Sequence, residues 1–294
     1  MDAFFVFNSY LDIIAMNSLL IRYSILFVLL VGLCSCGEKA HRKINSSCVE
    51  FFPKELQQLK ACEPILADHA SDADLRKKTD KTEFVKHFID IDIFDDFNNN
   101  HQIVENFEAA CSKYGKEKVI KNGTLPWVTD STYKALVQDF KSGNWDRSVL
   151  TAADLGHYVG DGFMPMHITA NYNGQLSGQT GIHRRYEETM IDRYIDEIQL
   201  KTSGIHKTNQ IKPFIFNYLY VNHSFVSLLL QADKEAYEKA GNQYNDVYYE
   251  SLWGKTNLFT VKLLQESSKT LAGLIYTAWV EAGKPKIPQS LVKK

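Results

Sequence analysis

Five residues between positions 157 and 187 carry side chains suited to holding a metal ion: His157, Asp161, His167, His183 and Glu187. His157 and Asp161 are four apart, and so are His183 and Glu187, a spacing that puts both members of a pair on one helical face, near enough to share an ion. Two such helices side by side make a metal site in a bundle core. Imidazole and carboxylate donors suit zinc, and the lack of cysteine among them argues against an iron–sulfur cluster or a structural zinc finger. Either pair alone would ordinarily be a surface contact. His167 shifts the balance, because it follows Pro165 and Met166 in an apolar setting between the two pairs.

The elements that must position these residues read as helices. Apolar positions recur with helical spacing in 133–140, 149–159, 186–198, 214–230 and 258–280, whereas 169–182, rich in Gly and Asn, reads as a loop. Asp130 and Ser131 supply an N-cap signal, and Gly283 with Pro285 fits a stop after the last helix. The chain has 294 residues, 45% apolar and 23% charged, without repeats or long linkers, so a single all-α domain is expected, with a multinuclear zinc site in a cleft between helices. A formal charge of -2 excludes a duplex-wrapping basic protein.

The amino-terminal segment differs in kind. An apolar run from Ile25 to Leu33 follows the lone basic Arg22, the pattern of a secretory signal peptide over residues 1–35, with Met16 as an alternative start. Leu33, Cys34, Ser35 and Cys36 look like a bacterial lipobox, which makes Cys36 the lipidated first residue of a mature domain spanning 36–294. The expected product is an exported, membrane-attached lipoprotein facing the periplasm or the cell exterior. Cys48, Cys62 and Cys111 remain, enough for at most one internal disulfide.

Upstream of the first pair stand His41, Asp72, and His87 followed by Phe88 and Asp90. Singly, they read as a surface residue, a helix cap and a core histidine. As an ordered set with His157, Asp161, His167, His183 and Glu187, they resemble the zinc-dependent phospholipase C family, whose relatives include single-strand-specific zinc nucleases. The resemblance spans roughly residues 36 to 190. It implies one zinc held by Asp72, His87, His157 and Asp161, and a second held by His167, His183 and Glu187. Asp74 is the alternative to Asp72, since both precede Arg76. A third zinc, bridged through Asp161, would take His41 and the main chain of the first mature residue. The family has Trp at that place, and this chain has Cys36.

The implied reaction is hydrolysis of a phosphodiester by a zinc-activated water, with Asp72 orienting or deprotonating that water. His-x-x-x-Glu and the short interval from His167 to His183 look more like the phospholipase branch, for which the substrate is a phospholipid head group. The alternative in the same superfamily is a nuclease or 3'-nucleotidase acting on single-stranded nucleic acid, where Phe88 could stack a base. A reading from another class is a lipid-anchored protein whose zinc is structural and whose site lacks an open coordination position. The sequence points to no protein partner.

Overall fold

Each of the apolar repeats falls in a helical segment of the computed structural model, which describes residues 37–292. The described residues pack as one unit. The expected signal peptide, the alternative start at Met16 and the lipidation site Cys36 lie outside the described residues. No strand occurs among the described residues, and the fold is all-α. No described helix is long and apolar enough to cross a membrane.

In chain order the α-helices are α1 (Glu38–Ser47), α2 (Glu63–Asp68), α3 (Asp72–Arg76), α4 (Asp95–Asn100), α5 (Phe107–Tyr114), α6 (Lys116–Lys121) and α7 (Leu125–Lys141). There follow α8 (Trp145–Gly162), α9 (Ile182–Arg184), α10 (Ile191–Tyr194), α11 (Ile211–His223), α12 (Phe225–Lys239), α13 (Asp246–Glu281) and α14 (Gln289–Val292). Short 3-10 turns fill much of residues 48–93, and a π-turn, Arg185–Met190, joins α9 to α10.

α7 and α8 form a helical hairpin, and α13, 36 residues and about 54 Å long, runs against α1, α7, α8 and α12. One face of α13 enters a core with Leu136, Leu155, Phe216 and Leu271, while its amino-terminal half joins a second core with Tyr186, Met190, Leu229 and Tyr248. Burying one such Leu or Phe side chain contributes about 1.5–3 kcal/mol. Two buried hydroxyls of α13 are satisfied within the helix: Thr256 donates to the Leu252 carbonyl at 2.8 Å and Thr277 to that of Gly273 at 2.7 Å.

Several local expectations are revised. α7 begins at Leu125, with Pro126 in its first turn, so Asp130 lies inside the helix and pairs with Lys134 instead of capping it. The run 214–230 breaks at Ser224 into α11 and α12. The run 186–198 is divided among the π-turn, α10 and a 3-10 turn. Residues 169–182 form turns as expected, and α13 stops at Glu281 before Gly283, whose φ is +88°. Cys48 and Cys111 are free thiols, so the three downstream cysteines form no disulfide among themselves.

Candidate metal centre

α8 is the backbone of the site. Its register places His157 and Asp161, both essentially unexposed, against α1, which brings in His41. That approach depends on missing side chains: a Cβ on Gly156 would come within 2.0 Å of Asn45 Oδ1, and one on Gly160 within 2.8 Å of His41 Nδ1. Asn45 ties the helices by donating to the carbonyls of Leu66 and Ala153 at 3.0 and 3.1 Å. The His41 ring stacks on that of His157, with centroids 4.0 Å apart.

Three groups of donor atoms result, each with its atoms within 4.8 Å of one another: His41, His157 and Asp161; Asp74, His87 and His157; and His167, His183 and Glu187. Asp161 connects them. Its Oδ2 faces His87 Nδ1 at 3.0 Å and His157 Nε2 at 3.5 Å, while its Oδ1 faces His41 Nε2 at 3.4 Å and His167 Nε2 at 3.8 Å. Glu187 reaches His183 Nε2 at 2.8 Å, His167 Nε2 at 3.5 Å and His41 Nε2 at 4.0 Å.

Asp72, expected in the first ligand set and as the catalytic carboxylate, lies elsewhere. Its carboxylate pairs with His69 at 2.7 Å and is about two-fifths exposed. Asp74 takes the inner position, with Oδ1 3.5 Å from His87 Nδ1 and 3.6 Å from His157 Nε2. The reason is rotation: two residues along α3 turn a side chain by about 200°, so only one of the two acids can face inward. Phe88 is half-buried and packs edge-on against Phe84, 5.5 Å between centroids. Trp127 and Tyr186 belong to the cores, whereas Tyr172 is exposed.

The outer partners of the imidazoles are what a metal requires. His157, His167 and His183 donate from Nδ1 to the carbonyls of Ala70, His87 and Tyr172 at 2.8, 2.6 and 3.0 Å, which leaves each Nε2 lone pair turned toward the carboxylates. His87 is reversed: its Nε2 faces Glu83 at 3.6 Å and its Nδ1 faces the centre. Glu83 had no place among the expected residues, although its spacing of four from His87 is the same helical signal used downstream. It is almost wholly buried, and the facing His87 imidazole, Lys86, the Tyr158 hydroxyl and Arg76 keep its carboxyl well below the usual range against the pull of burial.

The residues fit a metal by their own electrostatics. His87 Nδ1 and His157 Nε2 face each other at 2.9 Å, a contact that two lone pairs tolerate only with a cation or proton between them. The edges of a tetrahedral zinc site are about 3.3–3.4 Å, and the distances of 2.9–3.6 Å among Asp74, His87, His157 and Asp161 bracket that value. His167 Nε2 and His41 Nδ1 are buried without a hydrogen-bond partner. Burial alone would raise the Asp161 and Glu187 carboxyls, yet the surrounding imidazoles hold both far below the ordinary range. Burial opposes the His167 imidazolium, but Asp161 and Glu187 outweigh it and push it up to about 9. His157, desolvated and stacked on His41, is pushed down to about 3. Without metal, protons hold these charges together.

A further layer fixes the second half of the centre. Arg185, in the π-turn beside Glu187, is buried and donates to Asp233 at 3.0 Å, to the Tyr248 hydroxyl at 3.0 Å and to the carbonyls of Gln179 and Thr180. At the amino-terminal boundary Gly37 adopts φ +68°, and a Cβ there would sit 2.5 Å from Glu187 Oε1. Only glycine permits that approach without strain.

No family profile matches the sequence, and no curated protein matches it. Among solved structures, the chain is similar to the alpha-toxin of Clostridium perfringens from the avian strain SWCP, with TM-score 0.56 and 16% identity. The match covers 86% of this chain and 66% of the toxin chain, so this chain spans slightly less than two thirds of that protein's length. The chain therefore shares the toxin's helical fold over most of its own length.

Proposed function

We propose that this protein is a zinc-dependent phosphoesterase, phospholipase C-like, with two or three ions per chain. The observation that carries the reading is Asp161, which joins three donor groups in which His157, His167 and His183 are aimed by main-chain carbonyls. The order of His41, His87, His157, Asp161, His167, His183 and Glu187 along the chain supports the zinc-dependent phospholipase C family in particular. The fold shared with the alpha-toxin is compatible with that assignment.

Asp74, His87, His157 and Asp161 would hold one ion; His167, His183 and Glu187 a second; His41 with Asp161 a third. Bound there, zinc supplies Lewis acidity toward a phosphoryl oxygen and lowers the pKa of water. The chain's own groups do the rest. Asp74, which replaces Asp72 in this role, has an ionised carboxyl placed to accept a hydrogen bond from the attacking water. Lys77 pairs with Asp74 at 2.6 Å with its side chain only partly exposed, so its ammonium can meet a phosphate oxygen. Phe88 would contact the substrate from the His87 side.

Export and lipidation at Cys36 belong to the same proposal, with the periplasm or cell exterior as the place of action. An amino terminus created before Cys36 would lie one residue from Gly37, which abuts Glu187, and this supports a contribution of that terminus to the His41 group. A phospholipid head group is favoured as substrate over single-stranded nucleic acid by the short interval from His167 to His183 and by the net charge of -2.

The test is hydrolysis by zinc-loaded protein beginning at Cys36, on phosphatidylcholine vesicles and on single-stranded DNA in parallel, with and without chelator. Chelator-sensitive release of phosphocholine supports the reading. Chelator-sensitive DNA cleavage moves the protein to the nuclease branch, and bound zinc without turnover makes it a binding protein.

A further inference from the structure

The segment between Asp74 and His87 is held at both ends by the candidate metal centre, since both residues belong to the same donor group. Its middle is unusual in what it exposes. Leu75 is 48% exposed and Phe84 61%, although both are large and apolar. From Leu75 to Lys86 the segment carries Arg76, Lys77, Lys78, Lys81 and Lys86 against only Asp80 and Glu83, in a chain whose overall charge is -2. Arg76, Lys77 and Lys86 are engaged with Asp154, Asp74 and Glu83, respectively. Lys78 and Lys81 are exposed and make no ion pair with the described residues. The 169–182 segment, whose Tyr172 carbonyl holds His183, likewise exposes Tyr172 at 50% and Leu176 at 73%.

We propose that the Leu75–Lys86 segment docks on an anionic lipid surface, with Leu75 and Phe84 entering the interface and Lys78 and Lys81 meeting lipid phosphates. The proposal deepens the phospholipid reading of the site and rests on it for the identity of the surface. Among the described residues Phe84 meets the Phe88 ring edge-on and is otherwise largely exposed, and Leu75 is about half exposed. Apolar residues interleaved with unpaired lysines match an interface that is apolar below and negatively charged at the head groups. Single-stranded nucleic acid would also attract the lysines, but it offers no apolar layer for Leu75. Anchoring at both ends to the same donor group means that lipid held by the segment lies beside the centre that would cleave it.

The experiment is vesicle flotation, which reads binding and does not depend on turnover. The zinc-loaded chain from Cys36, the packed unit of this structure, is mixed with phosphatidylcholine vesicles or with vesicles containing phosphatidylglycerol. Three forms are compared: the unaltered chain, Leu75→Ser with Phe84→Ser, and Lys78→Glu with Lys81→Glu. Far-ultraviolet circular dichroism and zinc content confirm that each form is intact. The expected result is at least about a fivefold loss of bound protein for the serine form on both vesicle types. For the glutamate form the loss is expected only on phosphatidylglycerol, and it shrinks as salt rises. Absence of binding by the unaltered chain overturns the proposal, as does equal binding by all three forms. It is also overturned if both altered forms bind single-stranded DNA more weakly while vesicle binding is unchanged. If binding follows the segment but no phospholipid is hydrolysed, docking stands and the phospholipase reading falls.

Discussion

The two ends of the candidate centre are built differently. Asp74, His87, His157 and Asp161 are set by α8 and its neighbours, with three of the four almost wholly buried and their positions enforced by helix contacts over Gly156 and Gly160. His167, His183 and Glu187 come from a 3-10 turn, a three-residue helix and a π-turn, with His183 partly exposed and the π-turn tied down by Arg185. The first end owes its geometry to packing, the second to a hydrogen-bond network. Packing tolerates loss of a polar partner but not added volume, whereas a network has the opposite weakness.

The largest effect is expected where the ends meet. Asp161→Asn should lower phosphodiester turnover by about a hundredfold to a thousandfold, because Asp161 faces histidines of both ends. Wild-type zinc content in that variant, read by atomic absorption, would break the idea of a shared carboxylate. Arg185→Met should cost about tenfold to a hundredfold in zinc affinity at the second end only. Titration with a competing chelator should then show one class of site weakened and the other unmoved; uniform weakening would erase the distinction between ends. Gly156→Ala should leave the network alone yet destabilise the fold by about 1–3 kcal/mol, measured by urea unfolding, since the new methyl meets Asn45.

The smallest effect is a pH dependence of the metal-free protein. His167 is raised to about 9, so the stability from its pairing with Asp161 and Glu187 is fully present below the unfolded value near 6.5 and is lost as pH rises through about 9. The melting temperature without metal should therefore fall across that interval, and added zinc should stabilise more at pH 9 than at pH 6.5. A flat profile without metal would show that His167 carries no proton there.

The same contrast decided what the sequence could reveal. His157 with Asp161 and His183 with Glu187 were readable because helical spacing alone brings them together. Asp74 was not separable from Asp72, because spacing along α3 says that one acid faces inward but not which one. Asn45 and the close approach of α1 to α8 depend on contacts between distant segments, with Gly156 and Gly160, four apart beside His157, as their trace in the sequence, whereas Glu83 was signalled by its spacing of four from His87. The break between α11 and α12 was not legible because helical apolar spacing resumes at Phe225, directly after the polar Asn222, His223 and Ser224. The caps divided likewise: Gly283 marked the end of α13, whereas Pro126 marked the start of α7 better than Asp130 did.

The π-turn from Arg185 to Met190 has a consequence for how the chain can change. A single-turn π-bulge is geometrically an α-helix with one surplus residue, wound at a small cost in hydrogen bonding. Removing one residue from the turn would let α9 and α10 merge into a regular helix, relieving that cost while rotating the residues on one side of the deletion about 100° around the axis relative to those on the other. The surplus residue thus lets Glu187 face His183 while Tyr186, Met190 and Ile191 face the second core, and a one-codon deletion would cost one of the two registers.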